Sequence, residues 1–99
     1  MDEPFGFAEP PFKPEEALQR LKRELREMGL AEREGVFERR GLAVARVRLD
    51  GAALAAARVK RPSRASPEWQ PRTLAGSAAV RDFAAELRRA LQQWGDRDE

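Results

Sequence analysis

Residues 41–60 read GLAVARVRLDGAALAAARVK, and the interpretation of this run decides the fold. From Leu42 to Leu49 the side chains alternate. Ala43, Ala45, Val47 and Leu49 fall on one face and Leu42, Val44, Arg46 and Arg48 on the other, the period of a strand with one wet face. Asp50-Gly51 then gives a two-residue hairpin signal, since both central positions of a type I′ turn need positive φ. Residues 52–60 are open to two readings. AALAAA has high helix propensity and Asp50 suits an N-cap, whereas the turn chemistry and the shortness of the segment favour a returning strand. The strand reading, with Leu49 opposite Ala52, gathers Ala43, Ala45, Val47, Leu49, Leu54 and Ala56 into a core face. Its small alanines would let a helix approach the sheet closely.

Working toward the N-terminus, Val36 to Arg40 reads as a short strand turning at Gly41, preceded by a polar turn at 31–35. A helix is predicted from Pro14 to Met28. Proline suits its first position, Glu15 and Glu16 favour its positive end, and Leu18, Leu21, Leu25 and Met28 recur at spacings of three and four. Gly29 supplies a left-handed cap with Leu30 folding back. Residues 1–13, MDEPFGFAEPPFK, contain Pro4, Pro10 and Pro11 beside Gly6, which blocks regular structure. They are expected to be a flexible tail whose Phe5, Phe7 and Phe12 dock either on the domain's own core or on a partner.

Toward the C-terminus, residues 61–72, RPSRASPEWQPR, hold three prolines and two serines and read as a long loop. Arg72 to Ala75 is a candidate edge strand. A second helix starts at an N-cap Ser77, puts Val80, Phe83, Ala84, Leu87, Leu91 and Trp94 on one stripe, and stops at Gly95. Residues 96–99 form a charged tail. The expectation is one α+β domain over 14–95: a three-stranded antiparallel sheet, four-stranded with the edge strand, packed against two helices in the order α-β-β-β-α. That order resembles the double-stranded RNA-binding domain, although Gly76-Ser77-Ala78-Ala79 stands where that family carries basic residues. The segment from Val36 to Trp94, strands closed by a helix, is similar in topology to the single-stranded DNA-binding transcription coactivators.

The 99 residues carry a net charge of +2, unevenly spread. Residues 1–35 sum to −3, residues 36–72 to +6 and residues 73–99 to −1. The central cations Arg39, Arg40, Arg46, Arg48, Arg58, Lys60, Arg61, Arg64 and Arg72, with Trp69 among them, are the candidate nucleic-acid-binding residues. A guanidinium offers phosphate a planar, weakly hydrated fork, and an exposed indole can stack on an unpaired base. Single-stranded DNA or RNA is the favoured ligand. The competing reading is a protein–protein interaction or adaptor module, homodimeric, using Phe5, Phe7, Phe12 and the apolar outer positions Leu42, Val44 and Val59. Sixteen arginines against three lysines also fit a simple compositional bias.

Zero cysteines and zero histidines remove thiolate chemistry, sulfur-ligated metals and the commonest general base. Asp82 and Glu86, four apart on a helix, are the nearest approach to a carboxylate pair, and such pairs on a wet face are ordinarily solvated. No enzyme activity, metal or cofactor is expected. With neither a signal-like start nor an apolar run near the roughly 20 residues of a membrane span, a cytoplasmic location is expected.

Overall fold

A computed structural model describes residues 11–96. The order is α1 (Pro14–Glu27), β1 (Ala31–Arg33), β2 (Val36–Arg39), β3 (Leu42–Asp50), β4 (Ala53–Val59), β5 (Trp69–Leu74) and α2 (Ser77–Asp96). The five strands form one antiparallel sheet in sequence order, β1-β2-β3-β4-β5. The α+β class and the two flanking helices agree with the sequence reading; the strand number is five instead of three or four.

The N-terminal helix forms for the reasons its sequence gives. Ala17, Leu18, Leu21 and Leu25 are buried along one stripe, and Pro14 follows the N-cap Lys13. At its end Gly29 takes φ +91°, its N–H donates to Arg26 O at 2.9 Å, and the Leu30 N–H donates to Leu25 O at 3.4 Å. This double closure, with Leu30 buried against the core, is the Schellman termination. In α2, Phe83, Ala84, Leu87, Ala90 and Leu91 are buried, with Val80 and Trp94 packed at the margin. The Val80 N–H donates to Gly76 O, so the helix opens from Gly76, and it runs past Gly95 to Asp96.

The sheet corrects the sequence reading in four places. Residues 31–33, read as a polar turn, form β1, and Glu34-Gly35 is a hairpin turn with φ +53° and +82°. Arg40-Gly41 repeats it at +55° and +81°. Two consecutive positive φ values are what the right-handed twist of paired strands selects in a two-residue loop.

The β3–β4 loop is Gly51-Ala52, not Asp50-Gly51, because Asp50 pairs with Ala53 and Leu49 with Leu54. Only Gly51 there has positive φ, +62°, as in a type II′ turn. The two-residue change of register keeps the expected faces of the paired residues from Ala45 to Asp50 and from Ala53 to Arg58. The alanine-rich run 53–59 is therefore a strand, its helix propensity overridden by pairing on both sides.

The third correction is a bulge. Phe37 pairs with Ala45 and Glu38 with Ala43, so Val44 is skipped. Val44 and Ala45 are consecutive and both fully buried, which strict alternation forbids and a bulge permits. Fourth, β5 starts at Trp69, inside the segment read as loop, and carries Pro71, tolerated because β5 is an outer strand.

The core lies between the two helices and one sheet face. Leu21 and Leu25 of α1 and Phe83 and Leu87 of α2 meet Phe37, Val44, Ala45, Val47, Leu54, Ala56 and Leu74. Phe12 packs against its edge; Phe5 and Phe7 lie outside the described residues. No helix among the described residues is long and apolar enough to cross a membrane.

Candidate nucleic-acid interface

The register assigns every strand residue to a face. Phe37, Ala45, Arg58 and Gln70 lie along one line of cross-strand partners, and Val36, Arg46, Ala57 and Pro71 along the next. The first line faces the helices, since Phe37 is in the core and Arg58 donates to Glu86 Oε2 of α2 at 2.8 Å. The second line faces solvent. This open face carries Arg33 and Val36, then Glu38 and Ala43, then Arg46, Arg48 and Asp50, then Ala53, Ala55, Ala57 and the fully buried Val59, and finally Trp69, Pro71 and Thr73.

The nine candidate cations are divided between these faces and two loops. Arg39, Arg58 and Arg72 lie on the helix side. Arg39 donates to Leu91 O at 2.9 Å, near the negative end of α2, in space that Gly95 keeps clear: a Cβ there would stand 2.9 Å from the guanidinium. Arg58 and Arg72 both pair with Glu86 Oε2, at 2.8 and 2.9 Å. The expected single patch is therefore broken, with Arg58 and Arg72 locking β4 and β5 to α2. Glu86 is accounted for by the same contacts.

Arg46 and Arg48 are exposed on the open face. The Arg46 guanidinium lies over the Trp69 indole, 4.4 Å from the ring centroid, close enough for a cation–π contact. Ala57, which pairs with both Arg46 and Pro71, is 2% exposed between them. Among the described residues neither Arg46 nor Arg48 has a carboxylate partner; Arg48 donates to the neighbouring Leu49 O at 3.4 Å. Lys60, Arg61 and Arg64 are exposed in and beside the loop that leads into Trp69. Arg40 sits at the β2–β3 turn, away from the middle of the face.

The candidate protein-contact positions fare differently. Val44 and Val59 are fully buried, Val44 because the bulge turns it inward, so neither is available to a partner. Leu42 is half-buried and pairs with Arg39, on the helix side. Phe12 is half-buried against the core.

Sequence reasoning missed Arg33, which β1 brings to the open face, and Glu34-Gly35 at its rim. A glycine just before an apolar β-branched residue was the signal for the hairpin; the three-residue strand ahead of it was too short to show a period. On the helix side Lys22 Nζ and Arg26 Nη1 both reach Glu32, each at 2.9 Å, joining α1 to β1. The Lys22 hydrogen bond, with the charges of Lys22 and Arg26 and a backbone bond from Gly35, holds the Glu32 carboxyl below its ordinary value of 4.5 despite opposing desolvation. Among the described residues no group of three or more acidic side chains is placed to hold a metal ion.

No family model matches this chain, and no curated protein or solved structure matches it either.

Proposed function

We propose that this protein binds single-stranded nucleic acid, DNA or RNA, on the open face of its sheet, and acts as a binding module without catalysis of its own. The observation that carries the reading is the Arg46–Trp69 stack, a flat cation on an indole on an exposed antiparallel sheet. The guanidinium plane, backed by the half-buried indole it covers, offers a flat surface to an unpaired base, while Arg48, Lys60, Arg61 and Arg64 supply positive charge along the path a backbone would follow. Duplex DNA suits the face less well. Its bases are already stacked, and reading its major groove calls for a protruding helix or ribbon, whereas this face is floored with alanines. Arg39, Arg58 and Arg72 leave the proposed contact set, because their guanidinium groups already serve α2.

The deciding experiment titrates the purified protein with labelled single-stranded and duplex oligonucleotides at two salt concentrations. Single strands should bind more tightly, and binding should weaken steeply as salt rises. Absence of binding at low salt would remove this reading.

A further inference from the structure

The open face holds a shallow depression of about 200 Å³ bounded by Glu34, Gly35 and Val36 of the first hairpin, by β3 from Arg46 to Arg48, and by β4 from Ala55 to Ala57. It is smaller than the roughly 300–1,000 Å³ of ordinary ligand pockets, so it suits one flat ring system laid on the sheet, not a whole nucleotide cofactor. Its floor is flat for a local reason: Arg46 stands opposite Ala57 and Arg48 opposite Ala55, so each long side chain faces a methyl group across the strand pair.

Its polar rim mixes two kinds of group. Arg46 and Arg48 offer only donors, and Glu34, at the turn, offers only acceptors. A base that meets both must show acceptors along one edge and donors along the adjoining one. Guanine does so, with N7 and O6 accepting and N1–H and the 2-amino group donating. Adenine and cytosine present an amino group where guanine has O6 or lack the paired donors, and uracil has only one ring donor.

We infer that this depression is a base slot selective for guanine in a single strand, with Glu34 meeting the donor edge, an arginine of the Arg46–Arg48 pair meeting O6 and N7, and Ala55 carrying the ring. The inference rests on the reading of the open face as a single-strand surface and adds to it a base preference. Glu34 is the informative residue, since on a surface made only for phosphate a carboxylate is a liability.

The test measures affinities of short oligouridylates carrying one central G, A, C or U for the full chain and for Glu34→Gln and Ala55→Leu, with circular dichroism confirming that each variant is folded. The strand with G should bind roughly tenfold more tightly than the other three, the size of effect a good bidentate contact gives. Glu34→Gln removes a negative charge and the acceptor for the guanine donors, so it should tighten binding of the A, C and U strands slightly and weaken binding of the G strand, collapsing the ratio of G to A. A carboxylate acting only through bulk charge would shift all four strands together and leave that ratio in place. Ala55→Leu, which fills the floor, should abolish the preference as well. Equal binding of all four strands, or a G preference that survives both substitutions, overturns the slot and leaves single-strand binding standing. Failure of every strand to bind overturns both.

Discussion

Arg46 and Trp69 form a contact whose two ingredients, charge and flatness, can be separated by substitution. Lysine at position 46 keeps the charge and loses the planar fork, so Arg46→Lys should weaken single-strand binding about five- to tenfold while leaving the salt dependence almost unchanged. Fluorescence anisotropy at several salt concentrations checks both halves; a changed slope with unchanged low-salt affinity would contradict the stacking role. At Gly35 the constraint is steric. Its φ is +82° and a Cβ would stand 3.2 Å from the Val47 carbonyl oxygen, so Gly35→Ala should cost about 1–2 kcal/mol in urea denaturation. Glu32 sets a pH dependence. Its carboxyl is held below the ordinary value in the folded chain, so its stabilising contribution is complete above pH 4.5 and is lost as pH falls through the lower folded value. Glu32→Gln should flatten stability across that acidic window, as read by thermal melts at a series of pH values. At this scale the sequence announced Trp69 and the central arginines, but not which guanidinium groups were already engaged. Nothing local to Arg58 or Arg72 points to Glu86, which lies 28 and 14 positions away.

Both helices were legible because each carries a long 3.6-residue period and a stop signal, as Leu18, Leu21, Leu25 and Gly29 illustrate. The β3–β4 hairpin was legible from one strong turn. Harder to read were the features that consist of one residue. The bulge at Val44 breaks the alternation of β3 without any glycine to mark it, and so a core residue was read as an outward one. Glu34-Gly35 and Arg40-Gly41 make the same turns that Asn-Gly makes; the one at Gly41 was legible from its glycine, whereas Glu34-Gly35 was absorbed into a longer polar turn, because Glu is not selected for positive φ. The bulge is testable by two matched substitutions. Val44→Thr keeps the shape and buries a hydroxyl, and should destabilise by about 1–3 kcal/mol, while Ala43→Thr, on the open face, should be nearly neutral. Strict alternation along the strand predicts the reverse order, and a urea titration of the two variants distinguishes them.

Across the molecule the +6 of the central third does not act as one body of charge. Arg39, Arg58 and Arg72 tie the sheet to α2, Arg40 sits at the β2–β3 turn, and Arg46, Arg48, Lys60, Arg61 and Arg64 stay outward. If those five cations each meet a phosphate, the logarithm of the single-strand affinity should fall with a slope of about −3.5 against log salt, roughly a hundredfold between about 50 and 200 mM. Removing Arg61 and Arg64 together should reduce the slope by about 1.4 without altering stability. Arg58→Ala should do the opposite, lowering stability by about 1 kcal/mol and sparing the slope.

The outer strands of the sheet carry a last consequence. A row of unsatisfied backbone groups along a sheet margin is an invitation to other chains, and concentrated solutions of such proteins can grow fibres. Here one margin is only three residues long, and the other includes Pro71, an imide nitrogen that can donate to no neighbour. Substituting that proline by threonine restores a donor in a β-prone residue, and thioflavin signal on prolonged incubation should rise in the variant well before the parent chain.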